Sequence, residues 1–342
     1  MIKRIHLKNF RKFKDLEIDT NNNIIIFTGQ NAAGKTSVLE SIYLTSTSKS
    51  HRTVDLDSLI LQNEDLSIVE IEEQKKYKII LSKTGKKNFI NNVEYSKISD
   101  FIGNLKVVMF SPHDLELING SKGSRRRFLD IDISLLDKTY LRALTAYKKI
   151  LKERNEILKK YSDKDELILK VLTSQLIEQI NLIAEKRIIF IDELNEELKK
   201  ITKKLECEEI KLTYLTTYDL NNVSQSFENK RKYDLISKTT NIGPHRDDVK
   251  IEINNLEALE YASEGQKRTI VLAIKLALKE LYFKQFKEEP ILLLDDIFAA
   301  LDQKRINHIM AYIKDKSQTF ITTTSIFSIP DELLKNAKVI RI

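Results

Sequence analysis

Apolar residues follow different rhythms in different parts of the chain. Over the first 110 residues, short apolar runs alternate with turn-rich stretches. Ile24-Ile25-Ile26-Phe27-Thr28 is unbroken, the mark of a strand covered on both faces. Val38, Leu39, Ile42 and Tyr43 then recur at helical spacing, which predicts a helix over 35–46. Residues 68–71 and 77–81 read as a hairpin. Asn91-Asn92 offers a second tight turn, because Asn tolerates positive φ. Residues 107–110 predict another buried strand.

From about residue 125 to 205 the period becomes helical. Leu136, Tyr140, Leu144, Tyr147, Leu151 and Leu158 form one stripe, and Leu169, Leu172, Leu176, Ile180 and Ile183 form a second. Ile191, Leu194, Leu198 and Ile201 continue it. Two long helices meeting near Tyr161-Ser162-Asp163 would make an antiparallel lobe, and a helix of about 40 residues would run roughly 60 Å. Strand signals return at 210–215 and 249–253. A helix is expected over 264–284, with Ile270, Ile274, Leu278 and Leu281 on one face. Buried strands follow at 291–294 and around Phe320-Ile321, and a strand signal at 339–342 closes the chain. The ends therefore read as α/β and the middle as α: one lobe from residues 1–112 and 208–342, interrupted by a helical lobe at 113–207.

Composition narrows the class. Hydrophobic residues make up 42% of the 342, enough for a core and against wholesale disorder. One cysteine, Cys207, excludes an internal disulfide and a Cys-based zinc site. Met1-Ile2-Lys3-Arg4-Ile5-His6 leads into no apolar run, as a signal peptide would. No window approaches about 18 apolar residues, so a cytoplasmic protein is expected. The net charge of +7, from 57 basic and 50 acidic residues, favours nucleic acid only mildly.

The chemistry begins at Gly29-Gln30-Asn31-Ala32-Ala33-Gly34-Lys35-Thr36, a G-x-x-x-x-G-K-[ST] phosphate loop between a buried strand and a helix. Gly29 and Gly34 let backbone N–H groups turn inward on phosphate oxygens, and the helix adds its positive end. Lys35 would neutralise the β- and γ-phosphates of ATP, and Thr36 would place its hydroxyl on Mg²⁺. Such a loop needs a carboxylate at the end of a neighbouring strand. Leu292-Leu293-Leu294-Asp295-Asp296 supplies it, with Asp295 toward Mg²⁺ and Asp296 toward the attacking water.

A second anion-type helix start stands at Tyr261-Ala262-Ser263-Glu264-Gly265-Gln266. Ser263 is a good N-cap, and Gly265 leaves the first turn bare. One triphosphate in one chain needs only one cradle, so this second tip asks for another explanation. Ser-x-Gly-Gln before a long helix, with the Asp-Asp strand after it, resembles the signature motif of the ABC/SMC-type ATPases. That resemblance implies a P-loop ATPase domain built from both termini. It also implies a head-to-tail homodimer, in which Ser263, Gly265 and Gln266 of one protomer cap the nucleotide of the other. Ala299-Ala300-Leu301-Asp302 stands where the family has its D-loop.

Further segments resemble the RecF family of bacterial DNA-repair proteins within that group. They are Leu7-Lys8-Asn9-Phe10-Arg11, Ser50-His51-Arg52-Thr53, Phe110-Ser111-Pro112-His113-Asp114-Leu115, Arg125-Arg126-Arg127-Phe128-Leu129-Asp130 and Gly243-Pro244-His245-Arg246-Asp247-Asp248. The resemblance implies recombinational repair of gapped DNA within the SOS response, RecA loading, and RecR and RecO as partners. Arg11 and Arg52 become candidate phosphate contacts beside Asn31. Arg125, Arg126, Arg127, Lys159 and Lys160 are candidate DNA contacts or a solvated helix face. His245 and Arg246 would serve the nucleotide, the dimer seam or the lobe junction. The chain departs from ABC transporters at Asp296, where they carry Glu. It also lacks their Gln across Ser111–Asp114 and their His among Thr322-Thr323-Thr324, so slow hydrolysis used as a switch is expected. The rival reading is an ABC-type switch that acts on a protein partner and binds no DNA.

Overall fold

The computed structural model describes residues 1–342 apart from 54, 299–304, 308, 311–316 and the side chain of residue 328. The described residues form two units, Met1–Asp114 with Leu272–Ile342, and Leu115–Val271. In chain order the strands are β1 (Arg4–Phe10), β2 (Phe13–Asp19), β3 (Ile24–Thr28), β4 (Leu66–Glu72), β5 (Lys76–Ser82), β6 (Gly85–Ile90), β7 (Val93–Glu94), β8 (Val107–Phe110), β9 (Ile210–Leu215), β10 (Asp248–Ile253), β11 (Leu256–Glu257), β12 (Ile291–Asp295), β13 (Thr319–Thr323) and β14 (Ala337–Arg341).

The first unit holds two sheets. One is parallel throughout, in the order β14-β3-β13-β12-β8. Every residue of β8, β12 and β13 is buried, which is why β8 and β12 up to Leu294 show as unbroken apolar runs, while β13 also buries Thr319, Thr322 and Thr323. The other is antiparallel, in the order β2-β1-β4-β5-β6-β7, and its strands alternate. Val69, Ile71, Ile79 and Leu81 face the core, while Glu70 and Lys78 pair on the outer side at 3.0 Å. Asn91 and Asn92 hold φ of 51° and 66° in the two-residue turn between β6 and β7, as the Asn-Asn pair predicts.

Residues of both sheets and of the helix Lys35–Thr47 share one apolar core: Ile5, Leu7, Val69 and Ile79, then Val38, Leu39 and Ile42, then Ile25, Phe27 and Phe320. The helix is buried on almost every side, so Glu40, Ser41 and Ser46 also lie inside. Of these, Glu40 finds partners in Arg11 and Ser50, which shapes the site described below, whereas Ser46 Oγ has none among the described residues.

In the second unit the expected long first helix is two, Lys122–Leu136 and Lys138–Lys159. The Asp137 carboxylate breaks them by accepting the backbone N–H of Thr139 at 2.7 Å and Tyr140 at 3.3 Å. The partner helix Glu166–Leu205 has 40 residues. Arg154 bonds Thr173 and Tyr140 bonds Arg187, both at 3.0 Å; a step back on one helix matches an equal step forward on the other, so the two are antiparallel. This long helix contains an 18-residue window of mean hydropathy 1.3, a third of it buried, which the residue-by-residue reading passed over. Length and composition alone would let it cross a membrane. Its packed face, including fully buried Leu176, Ile180 and Ile183, marks it as a core helix of the lobe.

This unit runs past 207, taking in β9, β10 and β11 up to Val271. The reason is a side-chain tie. The Asn195 amide bonds both the C=O and N–H of Leu212 on β9, at 2.8 and 2.9 Å, so the antiparallel sheet β11-β10-β9 is fastened to the long helix. A helix at Val223–Ser237 is missing from the sequence expectation. Only Val223, Phe227 and Asp234 of it are buried, too few to show a periodic stripe.

Candidate nucleotide site

The phosphate loop stands where the motif requires, leaving β3 and opening the helix Lys35–Thr47. Gly34 holds φ 102° and caps the helix, and a Cβ there would strike the Phe13 ring. Gly29 holds φ 156°, and its Cβ would lie 2.6 Å from the Ile342 carbonyl. Lys35 is buried to 7% exposure and donates from Nζ to the carbonyls of Gly29 and Gln30, both at 2.8 Å. Its ammonium is therefore held over the loop by flexible bonds that a stronger acceptor can replace.

The strand order β3-β13-β12 places Asp295 two strands over from β3, which feeds the loop, with β13 between them. Thr36 Oγ1 donates to Asp295 Oδ1 at 2.8 Å, and Thr322 Oγ1 on β13 donates to the same oxygen at 2.7 Å. Asp296 turns back with φ 50°, its N–H held by Thr322 Oγ1 at 2.9 Å. Asp296 Oδ1 is buried with no hydrogen-bond partner. Burial first, and then the neighbouring Asp295 carboxylate, push its pKa up, with Lys35 opposing. A raised carboxylate with an unused oxygen is the condition a proton acceptor needs.

A cavity of about 620 Å³ opens over these groups. Asn31, Ala32, Ala33, Gly34, Lys35, Thr36 and Asp296 line it, together with Arg11 and Arg52. Arg11 is largely committed elsewhere: it forms two bonds to Glu40, at 2.9 and 2.8 Å, and one to Ser58 O at 3.1 Å. Arg52 is 41% exposed and lies 4.0 Å from Glu40.

The second unit carries the signature segment. Ser263 is exposed, and Ser263 and Gln266 form a reciprocal capping box. Gln266 N–H donates to Ser263 Oγ at 3.2 Å, and Ser263 N–H donates to Gln266 Oε1 at 2.8 Å. Gln266 Nε2 is anchored on Glu208 at 2.8 Å. The Ala299-Ala300-Leu301-Asp302 segment lies outside the described residues.

The other candidates separate by burial. Arg125 forms a bidentate pair with Asp248 at 2.7 and 3.2 Å, and Arg126 donates to the Asp247 carbonyl at 2.9 Å. Arg127 is half-buried; Lys159, which pairs with Glu156 at 2.7 Å, and Lys160 are exposed. His245 is committed inside the unit. Thr240 O can only accept, so it takes Nε2–H at 3.0 Å, and Nδ1 accepts from Tyr147 OH at 2.5 Å. Burial lowers its pKa to about 4, so the ring is neutral. Arg246 is exposed.

Residues 1–340 match the family model described as RecF/RecN/SMC N terminal domain. The "DNA replication and repair protein RecF" of Bacillus thuringiensis (strain Al Hakam) is 38% identical, over 100% of this chain and 96% of that protein. The protein of the same name from Bacillus cytotoxicus is 38% identical over the same shares. The chain belongs to the RecF family.

Solved RecF structures agree with that membership. "The recombination mediator protein RecF-ATP in RecFOR pathway" superposes with TM-score 0.89 at 30% identity, over 96% of this chain and 93% of that one. The ATPrS form gives 0.90 at 29%, over 100% and 96%. An Smc head domain from Pyrococcus furiosus, 18% identical at TM-score 0.54, shares the fold. In this RecF-family chain, sequence reading missed three residues of the cavity region. Thr322 could have been found as the hydroxyl ending a buried strand beside the Asp-Asp strand. Lys12, whose Nζ bonds the Ala32 carbonyl at 3.0 Å, follows Arg11 directly. Glu40 lies one turn and a half along the phosphate-loop helix, and nothing in its own neighbourhood of sequence marks it.

Proposed function

We propose that the chain binds ATP with Mg²⁺ in the cavity over residues 29–36. ATP then joins two copies head to tail through the Ser263 helix tip, and the dimer acts on DNA. The observation that carries this is that Lys35, Thr36 and Asp296 line one cavity with Asp295 bonded to Thr36 behind them, while a helix tip with an exposed Ser263 remains for another phosphate. By family, the DNA is gapped or carries a single-strand/duplex junction. The work is recombinational repair in the cytoplasm, assisting RecA loading with RecR and RecO.

Mg²⁺ fits the residues present, because the Thr36 hydroxyl and Asp295 carboxylate meet at 2.8 Å and are hard oxygen donors. When bound, the cation would offset charge on the phosphates. Lys35 exchanges its loop carbonyls for phosphate oxygens, and the loop N–H groups hold the same oxygens. Asp296 accepts the proton of the attacking water at its unpartnered Oδ1. It is one methylene shorter than Glu, so turnover is expected well below the enzyme median of about 10 per second.

Two measurements test this. Lys35→Ala should weaken ATP binding about 10–100-fold in calorimetry with the fold intact, since a charged hydrogen bond is worth roughly 1.5–3 kcal/mol. Unchanged affinity would remove Lys35 from the site. DNA binding with ATP should weaken steeply between about 50 and 200 mM salt as counterions compete for phosphates. Affinity flat across that range would leave an ATP switch that acts on a protein partner.

A further inference from the structure

The geometry points to Glu40 as the positioning residue that sets both arginines at the nucleotide cavity, Arg11 as a fixed strut and Arg52 as the cation released to the triphosphate. This rests on the nucleotide-site reading above.

Glu40 is fully buried and does not line the cavity, whereas Arg11 and Arg52 both do. It lies on the phosphate-loop helix, so it is rigid relative to Lys35 and Thr36. Its grip on the two arginines differs. Arg11 sits at φ 55°, a conformation that a non-glycine residue keeps only where its surroundings fix it. The bidentate bonds to Glu40 and the bond to Ser58 O supply that fixing.

Arg52 is held through its backbone. Ser50 Oγ donates to Glu40 Oε1. Ser50 Oγ in turn accepts the N–H of Arg52 at 3.0 Å and of Thr53 at 3.1 Å. Glu40 therefore orders the segment that carries Arg52, while the Arg52 guanidinium stands only 4.0 Å from the carboxylate and is 41% exposed. A carboxylate already satisfied by Arg11 and Ser50 does not compete strongly for Arg52, and a triphosphate carries more charge. The carboxylate keeps its charge in the interior because the Arg11 and Ser50 bonds outweigh burial, which works in the opposite direction.

The test is a double-mutant cycle read by ATP affinity in calorimetry, with thermal unfolding measured on each variant. Glu40→Gln and Arg52→Met should each weaken ATP binding about tenfold. Their combination should stay near tenfold instead of reaching about a hundredfold, because both remove one interaction. AMP, lacking the outer phosphates, should show less than about a threefold change for either. Losses that multiply, wild-type affinity in Glu40→Gln, or equal losses for AMP and ATP would overturn the proposal, whatever the change in melting temperature. If Glu40→Gln does not fold, Ser50→Ala takes its place, cutting the Glu40–Arg52 link and leaving the Arg11 pair. The same non-additivity with Arg52→Met is then expected, and additivity overturns the proposal. If Lys35→Ala binds ATP as wild type does, the nucleotide-site reading itself fails.

Discussion

Ser263→Arg should abolish the ATP-dependent dimer, weakening association at least about a hundredfold, while ATP affinity per protomer changes only a few-fold. Ser263 is exposed, and its hydroxyl accepts the Gln266 N–H at 3.2 Å. Gln266 in turn closes the capping box and is fastened to Glu208. The helix tip is thus pre-shaped before any phosphate reaches it, which lowers the ordering cost of binding. Arginine would remove the small hydroxyl and fill the tip with a long side chain. Loss of the cap alone should cost about 1 kcal/mol of stability, far too little to unfold the protein. Sedimentation with and without ATP reads the result; a variant that dimerises like wild type would remove Ser263 from the interface.

Arg187→Ala should destabilise the fold by about 3–5 kcal/mol, the cost of leaving buried carboxylates without their cation. Arg187 is 1% exposed on the long helix. It donates to Asp130 at 2.8 Å, Tyr140 OH at 3.0 Å and Pro244 O at 3.0 Å, and stands 3.7 Å from Asp247. Asp247 also accepts from Tyr214 and Tyr218. Burial works against the Asp130 carboxylate, yet Arg187 and Lys148 hold its pKa below the ordinary value. Urea unfolding followed by circular dichroism measures the change. A loss under about 1 kcal/mol would mean that the network relaxes around the gap.

That network explains which parts of the molecule the sequence could show. The phosphate loop and the buried strands were legible because their signals are local: fixed glycine spacing, and apolar runs imposed by cover on both faces. Ser263–Gln266 was half legible. The N-cap was read, but the Ser-x-x-Gln spacing that announces the capping box went unused. Thr36 meeting Asp295 is not local, because 259 residues separate them and only the strand order brings them together. The Gly243–Asp248 string stood out as a motif while its work stayed hidden. Its partners Tyr147, Arg187 and Tyr214 come from other elements, and these contacts tie it to β9 and the helices of the unit. Arg125 shows the same limit: in sequence it belongs to a basic run, and in the structure Asp248 holds it.

The central claim is that each nucleotide is enclosed by two copies of the chain, and mixing two defective variants tests it most directly. Lys35→Ala keeps a sound Ser263 tip, and Ser263→Arg keeps a sound phosphate loop. Neither alone should form dimers with ATP in sedimentation. An equimolar mixture should, because each mixed pair contains one complete site. If the mixture stays monomeric under conditions where wild type dimerises, the shared site is contradicted.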